Sequence, residues 1–349
     1  RLQFDAGYEP VIVNGFLLIA SSLTDSVTAY DTKTGKQLWR FYADGPIRFA
    51  PAIWRDFVCF GSDDGCVYCV ELATGTLRWK HRAVPSKRRL LGNKRLISVW
   101  PVRGGPVVAD GNVYFAAGVW PFEGVFVYAM EIETGKVLWR NDRLGFLFGQ
   151  QPHNTTAIGG LAPQGYLLVN GDELIVPCST AYPARLNRRT GELIEFKLPK
   201  AGRYPGGWFA ALDPDKARAL RRGLLTFDEV INRRRHEDKV YFSTGGVEGL
   251  SREIRTANRT LKFDENPYGV PGIIHSMAVA DDALFVTTRD GHVLCYRGTS
   301  PAPQTPAIWI WKNKTTQLTT TDNSMATATA VVASSCSNHG IAIVVGLSD

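Results

Sequence analysis

Three groups of residues in this chain have types and spacings that chemistry could use. Cys66-Val-Tyr-Cys69 has the spacing of half a zinc site. In an alternating strand, however, residues three apart point to opposite faces, so the two thiols cannot easily share one ion. The six cysteines, Cys59, Cys66, Cys69, Cys178, Cys295 and Cys336, show no spacing that demands a disulfide framework. The six histidines are scattered, with no pair at i, i+4 and no Cys-x-x-Cys-His haem attachment. His153 and His275, beside Pro/Gly-rich stretches, are the two to test. The third group is a basic run that holds Lys87, Arg88, Arg89, Lys94 and Arg95. It could meet phosphates, nucleic acid or an anionic membrane surface, or be a solvated loop. No aromatics interleave with it for base stacking, which weighs against nucleic acid.

The elements that must position these residues are repeats. Residues 27–40 read Val-Thr-Ala-Tyr-Asp-Thr-Lys-Thr-Gly-Lys-Gln-Leu-Trp-Arg, and the pattern returns at 67–80 and 127–140. A fourth copy at 185–193 lacks the tryptophan. Each copy reads as a hairpin: an alternating strand, a turn opening on Asp31, Glu71 or Glu131 and closing on Gly35, Gly75 or Gly135, then a strand ending in Trp39, Trp79 or Trp139. The acidic side chain can accept backbone N–H groups across the turn, and glycine takes the positive φ that a β-carbon opposes. Tryptophan offers a large flat face and one donor. A lone hairpin cannot bury such a surface, so the repeats must stack. Four-stranded sheets arranged radially meet that need, which gives an all-β β-propeller.

Ala29-Tyr-Asp31-Thr-Lys-Thr34-Gly35-Lys36-Gln-Leu-Trp39 resembles the tryptophan-docking motif of the quinoprotein alcohol dehydrogenase-like superfamily, the pyrroloquinoline quinone (PQQ)-like repeat proteins. The resemblance covers residues 9–198 clearly and 273–349 more loosely. It implies a propeller fold, and a family that includes dehydrogenases, sensor domains and scaffolds such as the outer-membrane assembly lipoprotein BamB.

The 349 residues, 44% hydrophobic, read as one PQQ-like propeller domain over 1–349 that belongs to a longer chain. Seven blades are recognisable and eight are possible. The Thr-Gly pairs at 35 and 75 lie one blade period apart, whereas that at 135 follows after a basic interblade insertion, 86–99. Phe146 to Gly160 reads as a long loop, and a fourth blade begins near Pro163. Asp213-Pro214 opens a helix signal, which makes 211–237 a helical insertion into the fifth blade. Ile274 to Val279, Ala283 to Thr288 and His292 to Arg297 make the sixth, with Ala307 to Lys312 as its last strand; Ala328 to Ser334 and Ile341 to Gly346 begin a seventh. No apolar run is long enough to span a bilayer. The net charge of +7 makes the surface basic. Aligned repeats place Cys69 and Cys295 in the slot of Ala29 and Ala129, a small buried position, and Cys59 faces Cys69 if residues 63–65 form a three-residue loop, so that a disulfide there stays open.

The superfamily's enzymes, as the resemblance implies, hold PQQ at the propeller's centre with calcium, a catalytic Asp and often a pair of adjacent cysteines. This chain has no Cys-Cys pair. Asp31, Glu71 and Glu131 fall on docking turns, and Asp63, Asp64 and Asp290 on hairpin tips. Glu123 and Glu248 each precede a glycine in a loop that could reach the channel, and Trp120 could stack on a flat ligand, which makes these three the cofactor candidates. The expectation is a non-catalytic binding or scaffold propeller with a protein or small-ligand partner and no cofactor. The alternative is a quinoprotein oxidoreductase using PQQ and calcium. A bacterial, periplasmic or otherwise exported location follows from the resemblance only.

Overall fold

Alternating residues in 27–40 form two strands because the turn between them closes on itself. In the computed structural model the N–H of Gly35 donates to Asp31 O at 2.8 Å, and Asp31 N donates to Lys36 O at 2.9 Å. The same two bonds recur at Gly75–Glu71, Gly135–Glu131 and Gly191–Asn187, and the four glycines have φ between 70° and 75°. The turn's first side chain supplies the rest. Asp31 Oδ1 accepts from Thr34 N at 2.6 Å and Thr34 Oγ1 at 2.8 Å, and Thr74 Oγ1 donates to Glu71. Asn187, in the copy without a tryptophan, accepts from Arg189 N and Thr190 N, so its turn is unchanged.

The structure describes residues 9–92, 95–150, 155–178, 181–196, 274–281, 283–288 and 291–297, and the strands at 253–256, 259–262, 307–312, 329–332 and 341–346. The chain divides into two compact units, 1–7, 18–29 and 38–236 in one and 8–17, 30–37 and 237–349 in the other, the division passing through the first sheet. The fold is an all-β propeller fold whose first four blades are each built on four consecutive antiparallel strands. The first blade is β1 (Val11–Val13), β2 (Phe16–Ser21), β3 (Ser26–Asp31) and β4 (Gln37–Tyr42), in chain order. Asn14 and Gly15, both at positive φ, make its first turn. The second is β5 (Ala52–Trp54), β6 (Phe57–Gly61), β7 (Cys66–Glu71) and β8 (Leu77–Arg82).

Between the second and third blades the basic stretch is a hairpin rather than the expected loop: β9 (Arg89–Gly92) pairs β10 (Arg95–Ser98). Its Ile97 is buried and fastens the pair to the protein. The third blade is β11 (Val102–Ala109), β12 (Asn112–Ala117), β13 (Phe126–Glu131) and β14 (Val137–Asn141). The next stretch, also expected as loop, is a second hairpin of β15 (Leu147–Gln150) and β16 (Thr156–Gly159), after which β17 (Gly165–Tyr166) adds in parallel to β11. The fourth blade follows as β18 (Leu168–Asn170), β19 (Glu173–Cys178), β20 (Ala181–Asn187) and β21 (Leu193–Glu195).

In the other unit, β22 (Glu253–Thr256) pairs β23 (Arg259–Lys262), and β24 (Ile274–Ala280), β25 (Ala283–Thr288) and β26 (His292–Arg297) run antiparallel. His275 lies in β24, as its sequence position implies, at an irregularity in the pairing with β25, and His153 lies outside the described residues. The strand beside β26 corrects the sequence reading. β29 (Ile341–Gly346) takes that place, with β27 (Ala307–Lys312) beyond it and then β28 (Thr329–Val332). The apolar run of β29 accepts neighbours on both sides, which its sequence position does not reveal. The helical insertion at 211–237 lies outside the described residues.

Two apolar clusters fill the unit that holds blades two to four. One joins Cys69, Val99, Val102, Phe115, Tyr128 and Met130; the other joins Tyr114, Val127, Leu144, Leu161, Leu174 and Leu186. Cys59 and Cys69 are directly opposite across β6 and β7, both buried and both free thiols, so the facing pair exists without the disulfide. Cys69, Ala29, Ala129 and Cys295 are all buried in the same repeat slot.

Candidate functional site

Antiparallel alternation decides which loops meet. In a blade whose four strands follow in order, the turn after the second strand and the connection leaving the fourth lie at one end. In the second and third blades that end gathers the β6–β7 turn, the β12–β13 turn and the connections with the two hairpins. The turns bearing Gly75 and Gly135 lie at the other.

Tryptophan ties the blades from that other end. Trp39 Nε1 donates to Leu72 O at 2.8 Å, Trp79 Nε1 to Ile132 O at 2.7 Å and Trp139 Nε1 to Arg188 O at 2.9 Å. Each ring lies on the next repeat's glycine, so closely that a β-carbon on Gly75, Gly135 or Gly191 would meet it at 2.7, 2.9 or 2.5 Å. Positive φ and missing β-carbon are both needed at these three positions.

At the first end, Asp63 is not an exposed hairpin tip. It is 1% exposed, because the chain before β5 and the chain before β11 fold over the β6–β7 turn. Asp63 N donates to Pro46 O at 2.8 Å, and Ser98 N donates to Asp63 O at 2.7 Å. Its carboxylate accepts Arg48 Nε on Oδ2 at 2.6 Å and Arg103 Nε on Oδ1 at 2.6 Å, with Arg103 Nη2 on Oδ2 at 3.0 Å. Burial pulls the Arg48 guanidinium below its usual range, and Asp63 opposes that pull. Beside it, Tyr68 Oη donates to Asp64 Oδ2 at 2.5 Å while Lys80 Nζ bonds Asp44 Oδ2 at 2.7 Å. Burial and then Asp64 push the Tyr68 phenol far above the ordinary tyrosine range. No spacing signal marks this network. Arg48, Asp63 and Arg103 stand on three different elements, and only the doubled acid in Ser62-Asp63-Asp64-Gly65 hinted at it.

The cofactor candidates are partly brought together. Trp120 caps a short 3-10 turn, Pro121–Glu123, and is exposed. The carbonyl of Glu123 accepts the indole N–H of Trp100, which orders the turn. Its carboxylate points to Arg88 at 4.0 Å, on the surface. Glu248 lies outside the described residues. Of the basic candidates, Lys87, Arg88 and Arg89 are exposed, Lys94 lies outside the described residues, and Arg95 is engaged by Asp25 and by the carbonyls of Ser22 and Leu23. Among the described residues, no three His, Cys, Asp or Glu side chains gather in a way that could hold a metal ion. A cleft of about 420 Å³ opens between β8 and β13, lined by His81, Arg82, Phe126, Tyr128, Arg140 and Asp142. Burial holds the His81 imidazole below its ordinary value, and its Nε2 has no partner.

Residues 1–99 and 25–302 match the family model described as outer membrane protein assembly factor BamB. The chain belongs to the PQQ-like β-propeller repeat family. Among the family's curated members, the dehydrogenase subunit of the quinone-type alcohol dehydrogenase of Gluconobacter oxydans is 34% identical over 143 residues, 38% of this chain and 18% of that one. A quinohemoprotein alcohol dehydrogenase of Pseudomonas putida is 27% identical over 145 residues, 38% of this chain and 19% of that one. The match thus spans less than a fifth of these relatives' length. Among solved structures, BamB from Moraxella catarrhalis aligns at a TM-score of 0.40 and 15% identity over 82% of this chain and 71% of its own. Quinohemoprotein alcohol dehydrogenase from Comamonas testosteroni aligns at 0.42 and 14% over 82% and 42%. No helix among the described residues is long and apolar enough to cross a membrane.

Proposed function

We propose that this chain is a non-catalytic binding or scaffold propeller, mediating protein or ligand interaction without a cofactor. The observation that carries the reading is the engagement of Asp63. Oxidation of an alcohol needs a carboxylate free to take the hydroxyl proton and a calcium held by several oxygens to polarise the quinone carbonyl. Both Asp63 oxygens already accept guanidinium N–H groups, and Glu123 faces Arg88 at the surface. In this reading Asp31, Gly35, Trp39, Glu71, Gly75, Trp79, Glu131, Gly135 and Trp139 are docking residues that fix the blades, and the exposed Lys87 and Arg89, with Arg88 beside Glu123, are placed to meet an anion. The propeller works in the periplasm or another exported compartment, as a factor for outer-membrane assembly would.

The alternative, a PQQ- and calcium-dependent oxidoreductase, is favoured by the identity to quinone-type alcohol dehydrogenase subunits. Calorimetric titration with PQQ and calcium, followed by dye reduction on ethanol and glucose, separates the two. The scaffold reading expects no stoichiometric binding and no turnover. Micromolar binding, with turnover that disappears in Glu123→Gln or Glu248→Gln, would overturn it.

A further inference from the structure

The exposed large apolar side chains are unevenly placed. Leu38, Leu77, Val137, Leu138 and Ile194 lie on outer strands, spread over separate blades. The others collect at the end of the blades that bears the two hairpins. On β9–β10, Leu91 and Leu96 are direct cross-strand partners and both are exposed, Leu91 at 74%. On β15–β16, Phe148 and Ile158 are direct partners and both are exposed, Phe148 at 75%. Between the hairpins the 3-10 turn presents Trp120 and Phe122, and the Phe122 ring meets that of Phe146 at 6.1 Å, edge to face.

Charge follows the same surface. Arg89 is exposed and stands two residues before Leu91 on β9, so both project from one face of the hairpin. Arg88 reaches the carboxylate of Glu123, next to Phe122. Lys87 is exposed beside them. Hairpins that expose whole cross-strand apolar pairs, with a tryptophan, phenylalanines and a cationic rim, have the composition of an interfacial membrane contact. Both hairpins are two-stranded sheets, and a peptide that added to an edge of either would be held by backbone bonds and leave the exposed side-chain faces uncovered. Here the apolar groups stand on projecting hairpin faces, which penetrate a headgroup layer more readily than they enclose a peptide.

We propose that this end of the propeller docks on an anionic lipid surface, inserting Leu91, Trp120, Phe122 and Phe148 among the headgroups while Lys87, Arg88 and Arg89 meet the phosphates. The inference goes beyond the binding-propeller reading and stands whether or not the chain also carries a cofactor.

The test is co-flotation of the full chain with vesicles of phosphatidylcholine alone and of phosphatidylcholine with phosphatidylglycerol, read alongside tryptophan quenching by brominated lipid. Flotation should favour the anionic vesicles by about tenfold or more, weakening with salt. Arg88→Glu with Arg89→Glu should abolish that preference, and Phe148→Ser and Phe122→Ser should each lower flotation. Leu77→Ser, on an outer strand, should leave it unchanged. Quenching should fall in Trp120→Phe, which reads insertion without removing an apolar anchor. Failure to float with either vesicle, or flotation that these substitutions leave intact, would overturn the proposal. So would binding of a soluble acidic peptide containing Phe and Leu by a chain that does not float, which would make this surface a protein-docking site.

Discussion

The indole N–H of Trp79 donates to the carbonyl oxygen of Ile132, 53 residues further along the chain, at 2.7 Å, while its ring covers the bare α-carbon of Gly135. One residue thus joins two blades by a directional bond and a face contact, and the same pairing recurs from Trp39 and from Trp139. Loss of the ring removes both. Trp79→Ala and Trp39→Ala should each cost about 3–5 kcal/mol in denaturant unfolding, with Trp39, the more buried, at the upper end. A variant that melts with the wild type would show that the blades are held by other contacts.

The glycine side of the contact is equally testable. Gly75 has φ 70°, and an added β-carbon would approach the Trp39 ring to 2.7 Å. Gly75→Ala should therefore lose about 1–2 kcal/mol from the left-handed backbone alone, and more from displacement of the ring. Gly171, also at positive φ but with open space around it, is the control. Gly171→Ala should show the backbone cost only. Equal losses at the two sites would exclude the ring contact as a source of stability.

Asp63 serves two arginines, Arg48 buried and Arg103 partly buried, and its removal takes the shared carboxylate from both. Asp63→Asn should destabilise by about 3–5 kcal/mol, the usual result of breaking a buried ion pair from one side. Replacing the group as a whole, Asp63→Leu with Arg48→Met and Arg103→Met, should recover most of that loss, because apolar side chains of similar size need no charge compensation. Urea midpoints of the single and triple variants decide it. A triple variant no better than Asp63→Asn would mean that the arginines hold the chain for a further reason.

His81 predicts an acid-sensitive window. Burial lowers its pKa from 6.5, so the folded protein disfavours the imidazolium that the unfolded chain accepts. Its contribution is constant above pH 6.5 and is lost as pH falls from there toward the depressed folded value. Melting followed across that range should fall in the wild type and fall less in His81→Phe, which keeps the ring contact to Tyr128. Identical pH profiles would remove His81 as the cause.

The described cysteines should resist thiol reagents. Burial, reinforced by Cys69, pushes the Cys59 thiol well up, and burial holds Cys66 at about 11 and Cys178 at about 12. Peptide mapping after labelling near pH 8 should find these three unmodified in the native protein and modified after unfolding. Native labelling at Cys59 would show that the β6–β7 pair opens.

The sequence by itself determined the repeat and its hairpins, because those rest on contacts a few residues long. Asp31 with Thr34 and Gly35 closes a turn whatever surrounds it, and the tryptophan that follows needs a neighbour to cover it, so stacking of blades was legible as well. The cross-strand facing of Cys59 and Cys69 was legible for the same reason, since loop length fixes register. The tertiary structure alone decided where the acids and cations go. Asp63 looks like an exposed tip until segments from two other connections fold over it, and Arg48 and Arg103 reach it from 15 and 40 residues away. Likewise, Lys87 to Arg95 reads as a loop from its charge. Only the burial of Ile97 and the pairing of Leu91 with Leu96 make it a hairpin. Local rules govern turns and alternation. The partners of buried charges, and the choice of β29 rather than β27 beside β26, are set by which distant segments pack together, and no spacing within the chain encodes that.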